Sequence, residues 1–191
     1  VDYVAISGND DKYDAFYATR QIKVTGPVNE TITLYRPFAQ LNFGADEMTT
    51  TFGNIEVTDT EIEVSGLATV FNTLTGSGEQ AVTSPVTFKA NGIATDEILS
   101  TGGKSYTWVT MDYMLMMNDQ SLVDVDAAFG VDGMDDKVVR TVTNVPLKKN
   151  YRTNIIGDLF AADAKLQIVI DQSFLKDDEG ISVGLPEVIE P

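Results

Sequence analysis

The groups in this chain that could do chemistry are carboxylates, and they stand without the usual partners. Asp132, Asp135 and Asp136 crowd the stretch "GVDGMDD" at 130–136, and Asp10, Asp11 and Asp14 form a second acidic group in loop-like sequence. Clustered oxygen ligands are how extracellular modules hold calcium weakly. Neither stretch matches the EF-hand loop, and a chain with 29 acidic residues makes such clusters by chance. No metal is therefore assigned, and Asp132, Asp135 and Asp136 stay as weak calcium candidates. Paired acids alone can hydrolyse glycosides, but only Asp112, in "TMDYM", stands in apolar and aromatic surroundings. A lone carboxylate on a strand more often pairs with an Arg or Lys. With no Cys and no His, thiol nucleophiles, Ser-His-Asp triads and His-ligated metals are excluded. The reading is non-enzymatic, with no catalytic residue and no cofactor.

Charge narrows the partners. Twenty-nine acidic against 13 basic residues give a net charge of -16 and a pI near 4.1. Such a field repels nucleic acid and anionic membrane surfaces. No apolar run approaches the roughly 18 residues of a membrane span, so no transmembrane segment is expected. The chain opens at Val1 without a leader pattern, which suggests processing or a cut from a longer protein.

Other recognition features each have a plainer explanation. Lys148, Lys149 and Arg152 form the basic cluster of an acidic chain, suited to an acidic face or glycan carboxylates, or simply a solvated turn before a strand. Met111, Met114, Met116 and Met117 surround Tyr113 after Trp108; thioethers can build an adaptable groove, but more often fill core space. Tyr3, Tyr13, Phe16 and Tyr17 are aromatics that a carbohydrate-binding sandwich could expose to sugars. At the C-terminus, "GISVGLPEVIEP" sets Ile181, Val183 and Leu185 at spacing two after the acidic spacer "KDDE". That pattern suits a segment added as an extra strand to another sheet, or an ordinary terminal strand; "DYVAIS" near the N-terminus is a second such segment.

The elements that must position these residues are strands. "SLVDVDAAFG" alternates Val123, Val125, Ala127 and Phe129 with Asp124 and Asp126; "TEIEVSG", "SPVTFKA" and "AKLQIVID" alternate likewise, with Val169 out of phase. This is the period of half-buried antiparallel strands. "GVDGMDD" reads as the loop of a long hairpin between Leu122–Phe129 and Lys137–Asn144. Helix signal is thin, at most a turn or two, with "GADEMTTTFGN" after Gly44 the one candidate. Roughly eight to ten short strands with turns between them predict an all-β, antiparallel β-sandwich. The organisation is read as N-terminal strands and loop over 1–28, a sandwich over 29–175, and an acidic spacer with an extended segment over 176–191.

"TITLYRPFAQLNFG" at 31–44 poses a problem, because its apolar positions change phase at Arg36-Pro37. Proline within sheets is confined to edges, strand starts and bulges, so the break, by a bulge or a crossing between sheets, is placed at Arg36-Pro37; the second possibility is a strand buried on both faces. In the second case Arg36 needs a carboxylate partner, since an unpaired buried guanidinium costs several kcal/mol.

The same residues carry a resemblance. "LYRPFAQLNFG" (34–44), "FNTLTG" (71–76), "GKSYTWVTMDYMLM" (103–116) and "VPLKKNYRTNIIGDL" (145–159), followed by "AKLQIVIDQSF", resemble in order and spacing the fimbrillin-like surface proteins of Bacteroidales, the group of type V pilus subunits and anchors, and within it a branch known only as a domain of unknown function. The residues that match are Arg36, Pro37, Phe38, Ala39, Gln40, Leu41, Asn42 and Phe43, then Asn150, Tyr151, Arg152, Thr153 and Asn154. The resemblance implies a transthyretin-like, Greek-key sandwich and a fimbrial subunit or adhesin. It implies an extracellular protein, held at the outer membrane by a lipidated N-terminus that lies outside this chain. Partners would be other fimbrial subunits, or the chain itself, joined by strand addition, with surface glycans or proteins as adhesion targets. An extracellular carbohydrate-binding module is the alternative.

Overall fold

The computed structural model describes residues 3, 6–27, 29–46, 55–80 and 83–172. They form two five-stranded sheets packed face to face, an all-β sandwich. The first sheet runs in the order β1 (Ile6–Ser7), β6 (Val86–Asn91), β3 (Val57–Val64), β9 (Gln120–Val131) and β10 (Val138–Lys148). The second runs β12 (Leu166–Asp171), β11 (Arg152–Gly157), β2 (Phe38–Ala45), β8 (Lys104–Leu115) and β7 (Ile98–Thr101). A separate hairpin pairs β4 (Val70–Asn72) with β5 (Ser77–Glu79). Most pairings are antiparallel; β1 with β6 and β11 with β2 are parallel, so both sheets are mixed. Among the described residues the one helical element is a 3-10 turn at Asp11–Tyr13, capped by Asp10. The helix candidate after Gly44 lies mostly outside the described residues.

The alternating segments behave as half-buried strands. Val123, Val125, Ala127 and Phe129 are buried while Asp124 and Asp126 face outward, and Ile62, Val64, Val86 and Phe88 join them in one core. The second sheet closes that core with Ala39, Leu41, Phe43, Val109, Met114 and Ile155. Each large side chain so buried contributes roughly 1.5–3 kcal/mol. The long hairpin is present, with Phe129 opposite Val138.

Strand β2 is buried on both faces along its whole length. Its odd-numbered residues enter the inter-sheet core. Phe38 instead joins a second core with Leu99, Tyr106, Trp108, Tyr113 and Ile156. Val169, out of phase in the sequence, packs against that second core, whereas Leu166 and Ile168 pack against the first. Residues 31–37 form no strand: Ile32 and Leu34 are exposed, and only Tyr35 makes an isolated bridge, to Tyr17. The phase change in the sequence thus marks where the chain enters the sheet. The bulge lies elsewhere, on β8, where Phe43 faces Thr110 and Gly44 faces Trp108.

The second core exists because the second sheet is rolled. Strands β11 and β7 are separated by β2 and β8, which in a flat sheet would set them about 14 Å apart. Yet Asn154 on β11 donates from Nδ2 to Thr101 Oγ1 on β7 at 3.1 Å. Gly44 permits the roll, since a Cβ there would stand 3.0–3.1 Å from Leu99, Tyr106 and Ile156. Residues near the N-terminus lie across the open side. Ile6 and Ser7 pair with β6, the Gly8 amide donates to Lys89, and the Asn9 amide donates to Met111 on β8, so the segment passes from one sheet to the other.

Candidate functional site

The rolled sheet presents a concave face with two rows of paired residues. In one row Tyr113, Gln40 and Arg152 lie side by side on β8, β2 and β11; in the next lie Met111, Asn42 and Asn154. Cα partners share a face, so both rows project into the concavity. Asn42 is the hub. Its Oδ1 accepts from Trp108 Nε1 (3.2 Å), and its Nδ2 donates to Asn154 Oδ1 (2.7 Å) and Gln40 Oε1 (3.3 Å). Arg152 stands over the Trp108 ring, 5.7 Å from guanidinium carbon to ring centroid.

Above this floor opens a cavity of about 620 Å³. Arg152, Trp108 and Tyr113 line it from the sheet, Asn9, Asp11 and Asp14 from the N-terminal segment, and Thr95 and Glu97 from the loop before β7. Asp11 Oδ1 accepts the Tyr113 hydroxyl proton at 2.7 Å. Burial, then the Asp11 carboxylate, pushes the Tyr113 phenol up, so it stays a donor. Arg36 forks onto Asp14, and its Nη1 donates to Asn150 Oδ1 at 2.8 Å. Asn9 and Asn150 adopt φ of 56° and 64°, in the left-handed region that asparagine tolerates.

Asp112 is sealed beneath, on the inter-sheet face of β8 opposite Leu41. Its Oδ1 accepts the Asn9 backbone N–H at 3.3 Å, and Oδ2 has no hydrogen-bond partner among the described residues. Burial pushes this carboxyl up to about 7, against the lowering effect of the Asn9 amide and the Thr110 hydroxyl. Among the described residues no cation pairs with it; the Asn9 amide and the Thr110 hydroxyl stand where an Arg or Lys was expected. Gly8 is required here, because a Cβ would stand 2.8 Å from Asp112 Oδ1.

The structure sorts the remaining candidates. Asp132, Asp135 and Asp136 are exposed, and among the described residues no three acidic groups converge to hold a metal ion. Asp10, Asp11 and Asp14 divide between a turn cap, the Tyr113 hydroxyl and Arg36. The basic cluster also divides: Lys149 bonds Asp119, Lys148 lies over the Tyr151 ring, and Arg152 faces the cavity. Thr153 ties β11 to β10 by donating to the Pro146 carbonyl at 2.7 Å. Met114 and Met116 are core, and Met117 is partly exposed. Ile181, Val183 and Leu185 lie outside the described residues.

Fold and site together define an all-β sandwich with a polar, aromatic-walled cavity on the outer face of one sheet. The chain belongs to DUF6562, a family of unknown function whose model matches residues 1–186. No curated protein matches the chain. Among solved structures, it is similar to a candidate cell adhesion protein from Bacteroides ovatus, at 13% identity and a TM-score of 0.40 over 74% of this chain and 47% of that one. Similar values hold for candidate cell adhesion proteins from Bacteroides uniformis (13%, 0.43, 74% and 52%) and Bacteroides fragilis (15%, 0.38, 71% and 46%). The chain spans about half the length of these proteins. At such values the reading of function rests on this chain's own geometry.

Proposed function

We propose that this chain is a non-enzymatic cell-surface adhesion protein of the fimbrillin-like kind. The observation that carries the reading is convergence of the segments that bear the resemblance. "LYRPFAQLNFG", "GKSYTWVTMDYMLM" and "VPLKKNYRTNIIGDL" supply β2, β8 and β11, adjacent strands of one sheet. Arg36 with Asn150, and Trp108 with Asn42 and Asn154, join them by side-chain hydrogen bonds. A resemblance scattered through the sequence is one physical object, the floor of the cavity. Two of the cavity's three acids are committed, Asp11 to Tyr113 and Asp14 to Arg36, which favours recognition over paired-acid catalysis.

In this reading the protein stands outside the cell, anchored at the outer membrane through a lipidated portion beyond this chain. It joins other subunits, or copies of itself, by strand addition at a sheet edge. Strand β12 is the outermost strand of its sheet, pairs only with β11 among the described strands, and exposes Ile170. Surface biotinylation of intact cells tests the placement. The chain should be labelled without lysis; labelling only after lysis would contradict it.

A further inference from the structure

Two buried amide nitrogens at the cavity have no hydrogen-bond partner among the described residues: Asn9 Nδ2, from a residue of the cavity lining, and Gln40 Nε2, from the sheet floor behind that lining. Gln40 is fully buried and sits in register between Tyr113 and Arg152, both cavity-lining, so its side chain leaves the sheet on the cavity face. Asn9 lines the cavity directly. An unpaired buried amide N–H costs about 1–3 kcal/mol, and native folds carry few of them. A ligand that brings an oxygen to each nitrogen removes that cost.

The surrounding charge selects among such ligands. Three lining carboxylates, Asp11, Asp14 and Glu97, outnumber the two guanidiniums of Arg36 and Arg152, on a chain of net charge -16. An anionic ligand meets net repulsion. A cationic ligand brings donors and leaves both amides unpaired. A neutral polyol satisfies every demand: its hydroxyl oxygens accept from Gln40 and Asn9, its hydroxyl protons reach Glu97, and its C–H faces suit Trp108, Met111 and Ala94. The volume, about 620 Å³, lies within the ~300–1,000 Å³ of small-molecule sites.

We infer that this cavity binds a neutral saccharide, with Gln40 and Asn9 as donors, Glu97 as acceptor and Trp108 in the wall. The inference deepens the adhesion reading by naming the ligand class of the same site, and rests on it for a biological role.

Trp108 is the single tryptophan of the chain, so its emission reports on the cavity alone. The purified chain is screened on an array of neutral, sialylated and uronate-bearing glycans, then titrated with the neutral hits and with glucuronic and N-acetylneuraminic acids. We expect saturable emission changes with neutral sugars, weakened at least fivefold in Glu97→Ala, an exposed position that leaves the fold alone, and in Gln40→Met. Response to none of the neutral glycans, response only to the acidic sugars, or equal binding by both variants would overturn the inference. Adherence measured in parallel separates the two claims. Cells carrying Glu97→Ala that adhere normally while the variant loses sugar binding would sink the saccharide's role in adhesion. A sugar-binding chain whose deletion leaves adherence intact would uphold the site and sink the adhesion reading.

Discussion

Arg36 grips Asp14 with both arms of its guanidinium, Nε to Oδ1 at 2.6 Å and Nη2 to Oδ2 at 2.7 Å. The Arg36 side chain is 2% exposed and that of Asp14 is 23% exposed. The pair ties the N-terminal segment to the root of β2, and so holds one wall of the cavity against its floor. Asp14→Ala leaves the buried cation with the Asn150 side-chain carbonyl, a neutral acceptor, in place of a carboxylate. We predict a loss of about 3 kcal/mol, the low end for breaking a buried pair because Asp14 is partly solvated. Urea denaturation measures it; a loss under about 1 kcal/mol, as for a surface pair, would contradict the role assigned to Arg36.

Asn42 makes three side-chain hydrogen bonds inside the rolled sheet. Asn42→Leu keeps the volume near constant but strips partners from Trp108 Nε1 and Asn154 Oδ1. The predicted loss is about 2–4 kcal/mol, since each orphaned buried group costs about 1–3 kcal/mol. Trp108 emission should shift in the folded variant, because its indole N–H loses its acceptor. Unchanged stability together with unchanged emission would show that the row is ornamental.

Asp112 makes stability depend on pH in the direction opposite to an ordinary salt-bridged acid. Its folded-state pKa lies near 7 against 3.8 for the free group. Between about pH 4 and 7 the native state therefore holds a proton that the unfolded chain releases, and stability falls as pH rises through that window. The full effect is on the order of 4 kcal/mol, from 1.36 kcal/mol per unit. Asp112→Asn should remove this component, giving a variant more stable than the parent at pH 8 and similar to it near pH 4. Thermal unfolding of both across the range checks it; parallel pH profiles would refute the assignment.

Much of the fold was legible because its strands are half buried. Val123 to Phe129 and Ile62 to Val64 alternate since one face meets the core and the other meets water. Strand β2 was harder to read. It is buried on both faces, so alternation vanishes, and the outward Ile32 and Leu34 mimic a continuation of the strand. Arg36 gave the better clue: a guanidinium beside an apolar run demands a carboxylate, although nothing local singles out Asp14. Most of the cavity was invisible for the same reason. Asn9, Asp11, Thr95, Glu97 and Arg152 come from distant loops and strands, and only the rolling of the sheet brings them together. Arg152 read as part of a basic turn because Lys148 and Lys149 precede it; the switch from β10 to β11 between them sends it to the opposite side.

The central claim, that this chain serves adhesion at the cell surface through recognition rather than chemistry, is tested most directly by adherence of the native cell. A strain lacking the gene, the same strain restored with the wild-type chain, and the parent are compared on the surfaces the parent colonises. The account predicts that adherence drops on deletion and returns on complementation. Equal adherence in all three, with the chain found inside the cell, would contradict it.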